Sequence, residues 1–466
     1  MNIDRQGNIY VTWIKKNSLV EMGPVFFSYS NDKGVTFSLP TSVSASANAY
    51  CEHEQSPEFA IDSKGYIHLV WSAQRTNTQF DIWYSKSFDH GLNWSIPISI
   101  CDADDSSIYF QDYPSIAIDS SDNIYVSFLD ARATQRKQTQ TMQLFVARST
   151  DQGDTWSKNV RADAFANPAY GTCESARQKI VATKQGDVFI AFRSNVVNSR
   201  DIYLARSYDH GVTFDEPLKI QNSYWISVPC PFTGPSLSLD RFGGAHISWF
   251  DQRTQETGRG HSYYAFVPYG SGDTPPNIVL DQSLLATPYT SVVSEFSAPS
   301  FRAFLYQTDL FGFRYQLYAN DTLLIPDTTF VNGKDQKNAS IAFGPDGTRY
   351  FVWQDSKRSA GNSDIYFSRE TSPITVNSVR PELRSDQVTL WPQPASTSTS
   401  ITIPGIAATE IILHDIMGRE YHPSYSAHTG DTYSLDLSGI ASGSYYITVK
   451  EKNSSIILAQ KLLIQK

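Results

Sequence analysis

The sequence predicts an all-β chain: a six- or seven-bladed β-propeller, seven blades being the count favoured here with one of them degenerate, followed by a small C-terminal antiparallel β-sandwich. Three observations predict it. An eight-residue turn with Ser, Asp, Gly and an aromatic at fixed places occurs four times. A strand-ending aromatic recurs at intervals near 57 residues, as in Trp71, Phe128, Phe192 and Trp249. Aromatic residues make up 13% of the chain, with 26 Tyr and 26 Phe, a composition that suits strands better than helices.

The turn copies are Ser30-Asn31-Asp32-Lys33-Gly34-Val35-Thr36-Phe37, Ser87-Phe88-Asp89-His90-Gly91-Leu92-Asn93-Trp94, Ser149-Thr150-Asp151-Gln152-Gly153-Asp154-Thr155-Trp156 and Ser207-Tyr208-Asp209-His210-Gly211-Val212-Thr213-Phe214. Each lies between alternating apolar runs, which marks a hairpin. Ser and Asp side chains accept backbone N–H groups, Gly supplies a position with φ above zero, and the aromatic covers the turn from the side.

A second recurrent stretch precedes each turn: apolar residues, Asp, a short Gly- or Asn-bearing bend, then an alternating run ending in Trp or Phe. The terminal aromatics are Trp13, Trp71, Phe128, Phe192, Trp249 and Trp353, separated by 58, 57, 64, 57 and 104 residues. The last interval holds about two units, so a degenerate one is expected there, with strands near 301–306, 313–318 and 322–325. Four short strands per unit at this period are the pattern of a propeller. In the second unit the strands are expected at 58–61, 66–71, 81–85 and 94–98. The opening residues 1–10 read as the middle of a repeat, so the chain is expected to begin within its first blade.

Composition narrows the function classes. Thirty-eight basic residues against 47 acidic ones give a net charge of −9, which argues against general nucleic-acid affinity. No apolar run is long enough for a transmembrane segment. Cys51, Cys101, Cys173 and Cys230 lack zinc-site spacing and fall between repeats, so one or two disulfides on a common face compete with buried thiols. The nine histidines show no metal spacing. No cofactor is expected; the run Cys101-Asp102-Ala103-Asp104-Asp105 offers oxygen ligands for a structural calcium, against the simpler alternative of a solvated acidic loop.

Strand B is followed by Asp130-Ala131-Arg132, Asp251-Gln252-Arg253 and Asp355-Ser356-Lys357-Arg358, a repeated Asp/Arg pattern expected to form ion pairs between blades. Chemistry is expected instead where the repeat breaks. The fourth unit breaks it: its linker carries Cys173-Glu174-Ser175-Ala176-Arg177-Gln178, and Arg193 directly follows the aromatic Phe192. Glu174 is expected to open strand A and Arg193 to close strand B, with both on one face.

The four turns resemble the Asp-box, Ser-x-Asp-x-Gly-x-Thr-Trp, of the sialidase and related propeller families. The resemblance brings in a six-bladed alternative and places the boxes away from the active face. It further implies Tyr289 as a nucleophile activated by Glu174, with Arg193 and Arg259 holding a substrate carboxylate and Arg253 competing for the role of Arg259. Arginine forks bind planar carboxylates bidentately, and a tyrosine beside a carboxylate can attack an anomeric carbon. The chain starts after the place of the family's first arginine, and in the loop of the family's acid/base aspartate the one carboxylate is Glu21.

From about residue 380 the repeat stops. A linker is expected at 380–389 after a propeller of residues 1–379, and strands near 400–403, 410–413, 433–437 and 444–449 predict the small sandwich. The stretches Pro392-Gln393-Pro394-Ala395, Asp415-Ile416-Met417-Gly418-Arg419, Leu437-Ser438-Gly439-Ile440-Ala441-Ser442-Gly443 and the closing Lys461-Leu462-Leu463-Ile464 resemble the C-terminal sorting domain of type IX secretion in Bacteroidetes. That resemblance spans 390–466 and implies an extracellular or surface location and the type IX secretion machinery as a partner. The expected function is that of a secreted exo-sialidase-like retaining glycoside hydrolase acting on terminal sialic acids. The alternatives are a non-catalytic propeller binding glycans or proteins through its Asp/Arg-lined face, and a hydrolase of another sugar using paired carboxylates.

Overall fold

The computed structural model describes all residues except 16–21, 44–48, 51–56, 77–78, 103–109, 133–141, 168, 228–229, 232, 241, 254–259, 281–285, 295–300, 309–311, 320–321, 332–335, 360–361, 371–388, 404–407, 416–419, 430 and 452–457. Every regular element among the described residues is a β-strand. The chain divides into two compact units, the first comprising Met1–Phe296, Arg302–Leu317 and Leu324–Ile374, the second mainly Thr375–Lys466.

In the first unit, antiparallel sheets follow one another along the chain. The first contains Asn2–Ile3, Ile9–Ile14, Val25–Ser30 and Thr41–Ser42. The second is built on Glu58–Ile61, Ile67–Thr76, Gln79–Ser87 and Ile98–Ser99, and the third on Gln111–Ile118, Ile124–Asp130, Gln143–Ser149 and Val160–Arg161. Lys179–Ala182, Val188–Asn195, Ile202–Ser207 and Leu218–Lys219 form the fourth, with Gly171–Thr172 added at the end of its second long strand. The fifth holds Ser236–Leu239, Ala245–Asp251, His261–Val267 and Ile278–Val279. In the sixth are Ala286–Ser294, Phe301–Thr308, Gly312–Ala319 and Thr322–Val331, and in the last Gln336–Phe343, Arg349–Ser359 and Asn362–Glu370. The degenerate unit expected between Trp249 and Trp353 is thus a sheet in its own right. In the second sheet the fourth strand is shorter than the sequence suggests, Ile98–Ser99, and Trp94 belongs to the extended stretch before it, whereas in the sixth sheet it is longer, Thr322–Val331.

Strands sandwiched between neighbouring sheets are buried on both faces, which explains near-continuous apolar runs such as Ile124–Asp130. Tyr10 and Phe27 pack on Phe59 and Trp71, Val70 and Tyr84 on Val126 and Phe128, Tyr125 and Leu144 on Ile190 and Phe192. Phe189 and Leu204 meet Ile247 and Trp249, Tyr264 meets Phe304 edge-on at 4.8 Å, and Leu305 and Tyr315 meet Ile341 and Phe351. Finally Ile9 and Val11 of the first sheet share a core with Tyr350 and Val352 of the last. The strand-ending aromatics Trp71, Phe128, Phe192 and Trp249 are all within this core.

The repeated turn has the geometry its residues dictate. In the third sheet the Gly153 N–H donates to Ser149 Oγ at 2.8 Å, Ser149 Oγ–H donates to Asp151 Oδ1 at 2.7 Å, and the Thr155 N–H and hydroxyl donate to the same carboxylate. These bonds hold the Asp151 carboxyl down at about pH 2, the Thr155 hydroxyl contributing most and its N–H next. Gly153 also has φ +82° and lies so close to Tyr84 of the preceding sheet that a Cβ would sit 2.0 Å from its Oη. The closing aromatics dock backwards in the same way: Trp94 on Phe27, Trp156 on Tyr84 and Phe37 on Phe367, each edge-on near 5 Å.

The second unit has two four-stranded antiparallel sheets. One orders Thr389–Trp391, Ser398–Thr402, Thr432–Asp436 and Tyr425–Thr429; the other Glu420–Tyr421, Ala408–Asp415, Gly443–Glu451 and Leu458–Ile464. Ile401 and Leu435 of the first share a core with Ile411, Leu413, Ile447, Val449 and Leu462 of the second.

Candidate active site

The fourth sheet departs from its neighbours at two equivalent places. Arg193 occupies the strand position that Leu129 and Phe250 fill in adjacent sheets, and Arg200 the position of Phe80 and Met142. Both are apolar interior positions, and both guanidiniums are correspondingly buried.

Arg193 was expected on the open face and is instead interior. Its Nε donates to the Thr233 carbonyl at 2.9 Å, Nη1 to the Arg200 carbonyl at 2.7 Å and Nη2 to the Phe250 carbonyl at 2.7 Å. The ring of Trp225 lies 5.0 Å from its carbon centre. Burial lowers its pKa to about 10, against the field of Asp251 and Asp201, so it is charged at neutral pH. A fully enclosed guanidinium with carbonyl partners on all three nitrogens ties the fourth sheet to the fifth and presents no fork to a ligand.

Arg200 carries the link to the expected catalytic carboxylate. Its Nη1 donates to Glu174 Oε2 at 3.3 Å and its Nε to the Ser227 carbonyl at 3.1 Å. Burial lowers the Arg200 pKa, and Glu174 opposes that shift. Glu174 itself is partly exposed, its side chain 27% accessible. It does not open strand A, which begins at Lys179; it stands in the loop between Gly171–Thr172 and Lys179–Ala182. Cys173 forms a disulfide with Cys230, fixing this loop to the approach to the fifth sheet. Of the other cysteines, Cys101 is a free thiol accepting the Ile82 N–H at 3.3 Å, and Cys51 lies outside the described residues.

The Asp/Arg repeats make local pairs that reach across sheets. Arg132 binds Asp130 two residues earlier, donates to Asn159 Oδ1 at 3.0 Å and meets Asp102 from the preceding linker at 2.7 Å. Asp102 is thereby engaged in an ion pair; Asp104 and Asp105 of the expected calcium run lie outside the described residues. Arg253 repeats the arrangement, gripping Asp251 and donating to Asn222 and Asn277. Its side chain is 8% accessible and stacks 4.0 Å from the Tyr263 ring, so it acts as a staple between sheets rather than a free cation.

Tyr289 lies in Ala286–Ser294, the innermost strand of the sixth sheet, within the register shift between Ala286 and Thr290. Its side chain, together with Glu21 and Arg259, lies outside the described residues. The structure therefore brings Glu174 and Arg200 together, places Arg193 and Arg253 in the interior, and adds two cations that the repeat pattern did not single out. Lys179 Nζ meets Glu58 Oε2 at 2.7 Å, and Ser115 Oγ–H donates to the same oxygen at 2.8 Å, joining the innermost strands of the second, third and fourth sheets. Burial would raise the Glu58 pKa, but Lys179 and Arg177 together bring it below the ordinary value. Arg177 is exposed. Arg200 was detectable as a break in the repeat, since Phe80 and Met142 stand in its place; Arg177 had no such signal.

A family model described as a BNR repeat-like domain matches residues 10–265, more than half of the chain. The chain belongs to the BNR repeat-like family. This BNR repeat domain is of the sialidase type and is followed by a secretion system C-terminal sorting domain, matched over residues 389–465, of the type IX kind. The sorting domain implies a secreted or cell-surface protein and a partnership with the secretion machinery. Among the described residues no helix is long and apolar enough to cross a membrane. No curated protein matches the chain in sequence.

Among solved structures, the BNR repeat chain resembles an ulvan lyase of polysaccharide lyase family PL25 bound to -[GlcA(1-4)Rha3S]-, at 13% identity and TM-score 0.50 over 78% of this chain and 90% of that one. It also matches the Hadza microbial sialidase Hz136, at 14% identity and TM-score 0.45 over 72% of each chain. A third match is the intramolecular trans-sialidase from Ruminococcus gnavus, at 11% identity and TM-score 0.46 over 67% of this chain and 93% of that one. At these identities the likeness concerns the fold alone, and sialidase-like β-propellers are among the structural neighbours.

Proposed function

We propose that this BNR repeat protein is a secreted, glycan-directed protein of the sialidase type that acts on sugars bearing a carboxylate, as a retaining exo-sialidase. The supporting observation is Glu174: a partly exposed carboxylate on the loop entering an innermost strand, oriented by a buried arginine and fixed by the adjoining disulfide. In this reading Glu174 draws the proton from the Tyr289 phenol, and the phenolate attacks the anomeric carbon while an acid, assigned to Glu21, protonates the leaving oxygen. Arg259 keeps its role toward the substrate carboxylate. The seven successive sheets are read as seven blades, and the two-sheet C-terminal unit as a sandwich.

A second reading, a propeller that binds glycans without cleaving them, is favoured by the enclosure of Arg193 and Arg253. One experiment separates the two. Full-length protein incubated with a fluorogenic sialoside is expected to release sialic acid, and Tyr289→Phe to abolish the release while leaving sialyllactose binding within about twofold. Binding by the wild type without turnover would establish the second reading; equal turnover by wild type and Tyr289→Phe would remove the phenolate mechanism.

A further inference from the structure

The Asp-boxes stop at the fourth sheet. In the fifth, where the strand His261–Val267 ends, Pro268-Tyr269-Gly270-Ser271-Gly272 stands in place of a box. Large aromatic side chains gather at that turn with their surfaces open: Phe242 is 64% exposed, Tyr269 50%, and Tyr208, the second residue of the fourth box, 42%. They are contiguous. The Tyr208 and Tyr269 ring centroids lie 6.1 Å apart with the planes perpendicular, and both rings stand edge-on to the buried ring of Phe189, at 5.9 and 6.4 Å. Phe242 belongs to the tight turn Asp240–Gly244, on which Tyr269 packs so closely that a Cβ added at Gly243 would lie 2.8 Å from its ring.

The rings are fixed in place by hydrogen bonds around them. The Tyr269 hydroxyl donates to Asp187 Oδ2 at 2.7 Å, and Asp240 Oδ1 accepts the N–H groups of Phe242 and Gly244, each at 2.8 Å. The box that carries Tyr208 is held by Ser207 Oγ–H donating to Asp209 Oδ1 at 2.7 Å. A group of large exposed rings marks a contact surface, and rings already immobilised lose little freedom on binding.

The rim says what the surface takes. Asp187 is bonded to Tyr269, Asp209 follows Tyr208 in its box, and the exposed Asp215 donates its N–H to the Arg206 carbonyl at 2.9 Å. The Arg206 guanidinium beside them donates to the Ser271 carbonyl. Acceptors and negative charge therefore surround the rings. An apolar protein face would leave these groups dry, and an acidic sugar would be repelled. An uncharged sugar meets both demands, with C–H faces for the rings and hydroxyl donors for the carboxylates. Asp187 lies in the turn between Lys179–Ala182 and Val188–Asn195, whereas Glu174 precedes Lys179, so the rings and Glu174 are at opposite ends of the fourth sheet.

We infer that Tyr208, Phe242 and Tyr269 form a binding site for an uncharged oligosaccharide, apart from the region of Glu174. The site holds the protein to a neutral glycan and performs no chemistry. It goes beyond the proposed action at Glu174 and does not depend on it.

The test applies full-length wild type, Tyr269→Ala and Tyr269→Phe to an array of cello-, xylo-, manno- and galacto-oligosaccharides and 3′-sialyllactose. The best-bound neutral sugar is then titrated by calorimetry, with circular dichroism to confirm folding and sedimentation to report self-association. Wild type is expected to bind at least one neutral oligosaccharide, and Tyr269→Ala to weaken that binding about 10-fold, the range for losing an aromatic contact. Tyr269→Phe, which keeps the ring, is expected to bind more tightly than Tyr269→Ala. Wild type that binds no neutral oligosaccharide, or neutral binding that Tyr269→Ala leaves intact, would overturn the inference. A wild-type dimer that Tyr269→Ala separates into monomers would assign the surface to a second copy of the chain and overturn it as well. Wild type that binds neutral oligosaccharides but not sialyllactose would leave this site standing and remove the proposed function.

Discussion

Among the described residues, Asp163 is a carboxylate at odds with its surroundings. One oxygen accepts from Arg161 Nε at 2.8 Å; the other is buried with no partner among the described residues. Burial raises its pKa to about 7, with Arg161 opposing. The sign follows from linkage: below the ordinary value of 3.8 both folded and unfolded chains hold the proton, whereas above it the unfolded chain releases the proton first. Asp163 therefore subtracts stability progressively between about pH 4 and 7. Asp163→Asn keeps the oxygen facing Arg161 and removes the charge, so its urea midpoint is expected to match wild type near pH 3.5 and exceed it by a margin that grows to about pH 7 and then levels off. A tenfold change in proton affinity is worth about 1.4 kcal/mol, which makes the gain a few kcal/mol at most. A constant difference at every pH would show that Asp163 is not protonated in the fold.

The Asp-box turn is the element on which the sheets depend, and its glycine does two things. It supplies the left-handed backbone, and it lets the preceding sheet's aromatic ring come into contact. Gly153→Ala meets both requirements badly: φ is +82°, and Tyr84 occupies the space. The left-handed backbone alone costs about 1–3 kcal/mol, and Tyr84 must also move. The expected result in urea unfolding is a loss of at least that size. The Ala substitution at Gly347, whose Cβ would meet nothing within 4 Å although its φ is also positive, is expected to lose less, and equal losses would deny the ring contact any part. The turn was legible in the sequence because the bonds that shape it, from Ser149 to Thr155, are local. The docking of its glycine under Tyr84 was not, because the two residues lie 69 positions apart.

At the scale of the whole first unit, the contact between the first and last sheets joins the two ends of the series. Two kinds of interaction meet there: an exposed ion pair, Lys33 with Asp346 at 2.7 Å, and a buried apolar group of Ile9, Val11, Tyr350 and Val352. Solvent screens the first, and the second is removed from water. Lys33→Ala is expected to leave the unfolding midpoint unchanged, whereas Tyr350→Ala is expected to cost about 3 kcal/mol and to raise hydrogen exchange in both terminal sheets together. Exchange raised in the last sheet alone would mean that the first does not depend on this contact.

The sequence by itself determined the strands, the turns and the two-part organisation, because these follow from periodicity and from hydrogen bonds between near neighbours. It also located the fourth unit as exceptional through Glu174 and Arg193. Only the tertiary structure decided what the exception does. A guanidinium in place of an apolar residue carries the same sequence signal whether it faces solvent or three carbonyls, and those carbonyls belong to Thr233, Arg200 and Phe250, which the fold alone assembles. Conversely the close approach of Gly234 to the Arg177 carbonyl had no signal in the sequence, because the two residues come from different sheets.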